Sequence, residues 1–299
     1  MSTTHKGVHL HEEKRRKEHM NKTTFNVIIH NPLKYAGNDA VIQRMTKKQA
    51  DRFNKELAAE KKHIALCTAV KSLLYKLADG GLTRSEKALL KKLLSNSVSK
   101  GSGKMDGINS ISTSAANNRR CAKNALIPGS ICQSCYAMRY LSFRPALRRK
   151  LELNTILYTT IVLPLEYLPT LNDLYFRFES FGDLNNAVQV VNYWNIAHKN
   201  TNTSFAHWTK NPDIIQDAID YYGLEKPSNL IVVYSSLMKN AAVQNIRQRW
   251  SFVDKTFTVY TADFIKDNDV VINCGSRHCL SCLNCYTDND IEHISEKLK

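Results

Sequence analysis

The chain has 299 residues, 43% of them hydrophobic and 23% charged, enough to bury a core alone or with a small second domain. No apolar run approaches the length that spans a membrane, and the polar, basic N-terminus has no apolar stretch behind it. Those two features exclude a membrane span and a secretory signal and make the cytoplasm the expected compartment.

The net charge of +15 is unevenly spread. Residues 1–150 carry 30 Lys and Arg against 10 Asp and Glu, whereas residues 151–299 carry 12 against 17. A basic N-terminal half suits either a solvated face or contact with nucleic acid.

Residues 1–22 are rich in Lys, Arg, Glu and His and read as a mobile basic tail. Their four histidines, His5, His9, His11 and His19, could bind a metal, but their irregular spacing favours a solvated tail. Residues 23–107 read as a helical N-terminal region ending in a linker. Residues 46–62 are polar and helical. Leu66, Cys67, Val70, Leu73, Leu74 and Leu77 then fall on one helix face. Cys67 on that face reads as a small buried apolar residue. Gly80-Gly81 ends the helix, and Thr83 with Glu86 forms a capping-box pattern for the next. Leu89, Leu90, Leu93 and Leu94 make its apolar face. The Ser-, Gly- and Lys-rich residues 97–107 read as the linker.

Residues 108–299 predict an α/β domain. Strands are expected at Ile108–Ser112, Leu174–Phe178, Ser204–Trp208, Leu230–Tyr234, Thr256–Tyr260 and Val270–Ile272. Helices are expected at 145–160, 187–198, 214–222 and 241–249. Strands beginning at 174, 204, 230 and 256 lie 26 to 30 residues apart, the period of a βα unit. Such alternation predicts a parallel sheet with right-handed crossovers, either a partial (β/α) barrel or an open sheet.

In parallel α/β folds, sites form at the carboxyl ends of strands. Reactive or polar residues follow each predicted strand. Glu179, Ser180, Gly182 and Asp183 follow the second, Thr209 and Lys210 the third, and Ser235 and Ser236 the fourth. Thr261 and Asp263 follow the fifth and Cys274 the sixth. Glu179 and Asp183 also suit a capping role near Asn185 and Asn186. Trp194 and Trp208 read as core, and His207, inside an alternating strand, as packed or solvent-facing rather than catalytic.

Seven of the eight cysteines fall in two clusters. In a cytoplasmic chain such spacing suits a metal or an iron–sulfur cluster better than disulfides. Cys121, Cys132 and Cys135 supply three thiolates and leave one coordination position open. On a four-iron (4Fe–4S) cluster an open iron binds a substrate or S-adenosylmethionine; zinc would need a fourth ligand or water. Cys274, Cys279, Cys282 and Cys285 fill a four-thiolate site, which suits structural zinc and a closed iron–sulfur cluster equally.

The run Ile111-Ser-Thr-Ser114, Asn117-Asn118, Cys121 and Cys132-Gln-Ser-Cys135-Tyr-Ala137 resembles the gene product 88 family of phage proteins. Arg177-Phe-Glu-Ser-Phe-Gly-Asp183, Trp208-Thr-Lys210, Phe257-Thr-Val-Tyr260 and Asn273-Cys-Gly through Cys285-Tyr286 are similar to its later motifs. The likeness covers about residues 108–286, and the order of the motifs carries it. It implies the cytoplasm of a host cell and an arrangement similar to radical S-adenosylmethionine enzymes. Under that likeness, Cys121, Cys132 and Cys135 hold the cluster, and Glu179 to Asp183 fall where S-adenosylmethionine is contacted. Ten residues separate the first two cysteines, where the radical-enzyme loop has three. Two functions follow as expectations. One is an iron–sulfur protein with a radical-enzyme-like core acting on an unknown substrate. The other is a zinc-stabilised nucleic-acid-binding protein without catalysis.

Overall fold

A computed structural model describes residues 25–29, 41–45, 47–243, 245–275 and 278–298. The expected tail at 1–22 lies outside them. The chain divides into two compact units, Met1–Leu66 and Cys67–Lys299, and the division falls inside a helix. In the first unit, β1 (Phe25–Ile29) and β2 (Val41–Met45) pair antiparallel. This hairpin was not expected in a region that reads as helical. One continuous helix, α1 (Lys47–Ala78), replaces the two separate helical stretches.

Leu66, the last residue of the first unit, is exposed; in the second unit, α1 half-buries Cys67 and buries Val70, Leu73 and Leu74. The predicted apolar face is therefore right from Val70 onward and one turn too long at its start. Next comes α2 (Arg84–Asn96), opened by the expected capping box. The Thr83 hydroxyl accepts from the Glu86 amide, and the Glu86 carboxylate accepts from the Thr83 amide. Leu90 and Leu94 are buried and Leu89 is exposed. Thr83→Ala is expected to cost about 1 kcal/mol, measurable as a small drop in melting temperature.

Residues 97–107 are no free linker. Ser97 is buried and its hydroxyl meets the Tyr158 hydroxyl at 2.7 Å. Ser99 pairs with Ser110 through two backbone hydrogen bonds. A 3-10 turn at Gly103–Met105 then leads to the sheet.

Six strands form that sheet: β3 (Asn109–Ile111), β4 (Tyr175–Phe178), β5 (Ser204–Thr209), β6 (Leu230–Ser235), β7 (Lys255–Tyr260) and β8 (His293–Lys297). All neighbours are parallel, and the spatial order is the chain order. Right-handed crossovers from β3 to β6 place their long connecting helices on one face of the sheet. The packing agrees. Phe176, Phe178, Phe205, Leu230 and Val232 point to α1, α2, α5 (Pro145–Thr159), α6 (Ala187–Lys199) and α7 (Asp213–Tyr222). Trp194 at the centre is fully buried, as expected of a core residue. His207 also faces this side, edge-on to Phe178 and Tyr193, and burial lowers its pKa to about 3.

Two short helices, α3 (Arg119–Ala125) and α4 (Tyr136–Phe143), were not anticipated inside the first cysteine stretch. After β6, only α8 (Ile246–Arg249) forms among the described residues of the helix expected at 241–249, and α9 (Ala262–Asp267) follows β7. The sixth strand is also corrected. Val270–Ile272 is not a strand, and Val271 is 80% exposed. The sheet instead ends in β8, beyond the second cysteine cluster, so Cys274 does not follow the last strand but flanks it.

Both sheet edges are covered, which limits pairing with other chains. Ser99 bridges β3, and Asn273-Cys274 bridges β8, where the Cys274 amide donates to the Ser295 carbonyl. Among the described residues no helix is long and apolar enough to cross a membrane.

Candidate functional site

The first thiol group sits at the carboxyl end of the sheet. The chain leaves β3 through buried Ser112, Thr113 and Ser114. Asn118 then acts twice. Its side-chain oxygen caps α3 by accepting from the Arg120 and Cys121 amides, and its amide nitrogen donates to the Asp183 and Leu184 carbonyls beyond β4. Further on, the Ile131 amide donates to the Leu237 carbonyl beyond β6 at 2.9 Å. Cys121 therefore lies on α3, Cys132 on a 3-10 turn, and Cys135 at the start of α4.

These thiols sense one another. The Cys121 thiol is pushed far up by burial and further by Asp183, Cys132, Cys135 and Glu179. Burial also raises Cys132, against the pull of Lys210 and the Ser130 hydroxyl. Without a cation, burial and crowding oppose the thiolate form; a bound metal ion reverses that balance. The donors are thus of the right type for a soft metal or an iron–sulfur cluster. Among the described residues, however, no three His, Cys, Asp or Glu side chains stand in an arrangement that would hold a metal ion.

The polar residues singled out after β4, β5 and β6 do meet here, though with different tasks. Glu179 is a buried residue with a positive φ of 58°. That conformation turns its carboxylate inward, where it accepts from Thr113 Oγ1 (2.9 Å), Gln189 Nε2 (2.6 Å) and Tyr193 Oη (2.8 Å). Asp183 is held as fully: it accepts from Thr209 Oγ1 (2.6 Å), the Lys210 amide (3.0 Å) and the Leu184 amide (2.8 Å). Both carboxylates spend their lone pairs joining the strand-end loops. Gly182 has no room for a side chain, since a Cβ there would stand 2.5 Å from the Thr113 carbonyl oxygen. Ser180 bonds to the Ser110 and Ser112 hydroxyls. The Lys210 ammonium reaches the Ser235 hydroxyl at 2.8 Å and lies near Cys132. Ser236 turns away, donating to the Met238 and Ala241 carbonyls.

The second thiol group covers the sheet face opposite the helices. Cys279, Leu283, Cys285 and Tyr286 pack on Ile108, Ala206, Tyr175 and Trp208. Cys274 and Cys285 continue the layer over Val233, Phe257 and Ile294. Trp208 therefore packs in this second layer, not in the helix-side core. The short helix α10 (Cys279–Cys282) presses against the turn before β3. Gly107 permits this with a φ of 81°, because a Cβ there would meet Leu280 Cδ1 at 2.3 Å. Lys104 from the same region donates to Cys274 Sγ at 3.1 Å and to Glu296 of β8 at 2.9 Å. The entry to the first strand of the sheet is so tied to its last strand.

One side chain escaped sequence reasoning. Arg177 of β4 projects into this second layer, its guanidinium 4.2 Å from the Trp208 ring and its Nε buried without a hydrogen-bond partner. Its positive charge opposes the upward shifts of Cys279, Cys285, Tyr286 and Tyr136. Even so, burial leaves the Cys285 thiol at about 12. An arginine inside a strand was the available signal, but it also suits a solvated face.

No curated protein and no solved structure matches this chain. The family model described as gene product 88 matches residues 76–298, most of the chain, including all six strands of the parallel sheet and both thiol groups. The chain therefore belongs to the gene product 88 family of phage proteins.

Proposed function

We infer that this protein is an iron–sulfur enzyme with a radical S-adenosylmethionine-like core. The observation that carries this reading is the seating of Cys121, Cys132 and Cys135 at the carboxyl end of a sequentially ordered parallel sheet. That loop is anchored to the β4 and β6 loops and falls one ligand short of a four-thiolate set. A cluster with an open iron, when bound, supplies an electron to S-adenosylmethionine. The chain's own residues hold the loop and keep Lys210 and Ser235 beside it. Lys210 and Ser235 are the better candidates for polar contact with a bound small molecule. Glu179 and Asp183 serve by fixing the loops.

Anaerobic purification with analysis of iron, sulfide and zinc tests the reading. Stoichiometric iron and sulfide with broad visible absorbance are expected. Cys132→Ala and Cys135→Ala should each remove a distinct share of the metal, because two thiolates leave the loop site too open. Full metal content in both variants would overturn the ligand assignment.

A second reading is a zinc-stabilised nucleic-acid-binding protein without catalysis. The self-sufficient four-thiol C-terminal group and the basic N-terminal half favour it. Colourless protein carrying zinc alone would select it.

A further inference from the structure

Between Asp106 and Glu152 the sequence contains eight Lys and Arg and not one Asp or Glu. This stretch holds the whole first thiol loop and α4. Some of its cations are engaged: Arg120 pairs with Asp213, Arg148 with Glu152, and Lys150 donates to the Val98 carbonyl. Arg119, Lys123, Arg139 and Arg144 stand exposed.

Aromatic rings run among them. Tyr136 lies 5.7 Å from Phe181, Phe181 lies 6.1 Å from Tyr140, and Tyr140 lies 5.4 Å from Phe143. Arg144 continues the row, its guanidinium 4.6 Å from the Tyr140 ring centre. Tyr136 and Phe143 are 54% and 57% exposed. The Tyr136 hydroxyl donates to the Ser180 carbonyl, which anchors the inner end of the row. Cys135 directly precedes Tyr136, so the row starts at the thiol site.

Exposed rings of this size mark an interaction surface. Rings interleaved with unopposed cations suit a polyanion that also offers flat faces. Single-stranded nucleic acid does both: its bases stack on aromatic rings while its phosphates meet Lys and Arg. A duplex keeps its base faces stacked inside. An acidic protein segment would use the cations but not an ordered row of rings.

We propose that α4 and the first thiol loop form a binding surface for single-stranded nucleic acid, leading the strand to the thiol rim. Only the last clause rests on the enzyme reading above, for it makes the strand the substrate of that site; binding itself does not depend on the metal.

The test uses the full chain, purified anaerobically, and fluorescein-labelled unstructured DNA and RNA of about 16 nucleotides, near the upper range for one single-strand binding fold. Fluorescence anisotropy is followed against salt, with the matching duplex as comparison. The single strand is expected to bind more tightly than the duplex, with affinity falling steeply as salt rises. Phe143→Ala should weaken binding about tenfold without lowering the melting temperature, since the lost ring is a stacking platform and is mostly exposed. Arg139→Glu should weaken binding and flatten the salt dependence. Equal binding of the duplex, no binding at low salt, or an unaffected Phe143→Ala would each overturn the proposal. So would self-association abolished by Phe143→Ala with no oligonucleotide bound, which would mark the surface as a protein-docking face. Metal is measured on the same samples. Cluster-loaded protein that ignores nucleic acid refutes this surface alone, and metal-free protein that binds it refutes the enzyme reading alone.

Discussion

Cys282→Ser is expected to lower the melting temperature of the metal-loaded protein by about 10 °C and to open the segment around residues 274–286 to proteolysis. Cys274, Cys279, Cys282 and Cys285 lie within twelve residues. A metal held by these four thiolates, as proposed, would make its ligation energy folding energy for the segment, since no such site exists in the unfolded chain. What the segment covers enlarges the effect. Its residues shield Ile108, Ala206, Val233 and Phe257 from solvent, and Lys104 links it to both ends of the sheet. A loss of about 3 kcal/mol or more, at roughly 2–4 °C per kcal/mol for a unit of this size, gives that shift. Cys67→Ser, at a thiol outside both groups, should change the melting temperature far less. Unaltered stability and metal content in Cys282→Ser would remove the structural role assigned to this group.

The second large effect concerns Glu179 and pH. Burial raises its carboxyl from 4.5 to about 7, outweighing the hydrogen bonds from Tyr193 and Thr113 that favour the charged form; the nearby Asp183 adds to the rise. Between those two values the folded chain keeps a proton that the unfolded chain releases. The stability tied to that proton is complete below pH 4.5 and is lost as pH rises through 7. The whole loss is about 3 kcal/mol, of which about 2 kcal/mol falls between pH 5 and pH 8. His207 runs the other way, because burial lowers its pKa and stability rises as the unfolded chain's histidine deprotonates. The comparison with Glu179→Gln isolates the glutamate. This variant, which cannot ionise, should gain about 2 kcal/mol on the wild type between pH 5 and pH 8, read from denaturant melts at each pH. A constant difference across that range would show that the Thr113, Gln189 and Tyr193 donors hold Glu179 ionised throughout.

Much of the fold was legible because local physics dictates it. Leu230–Ser235 and Lys255–Tyr260 form strands where short runs of β-branched and aromatic residues predict them. Thr83 and Glu86 mark a helix start by chemistry confined to four residues. The βα period yielded a parallel sheet, and cysteine spacing gave two groups of thiols. Tertiary packing decided the rest. His293–Lys297 buries only Ile294 and Ser295 and has no apolar run, so nothing local distinguishes it from a loop. It becomes a strand because β7 offers a free edge for its backbone to pair with. Val270–Ile272 has the apolar run but no strand edge, since Asn273 and Cys274 occupy the outer side of β8. Sequence placed Glu179 and Asp183 beside the site, but only the folded chain fills their lone pairs with donors from Thr113, Tyr193 and Thr209. Arg177 looks like a solvated strand residue until the second thiol segment folds over it. The enclosing surface comes from residues about a hundred positions away, and no local pattern in the chain encodes that distance.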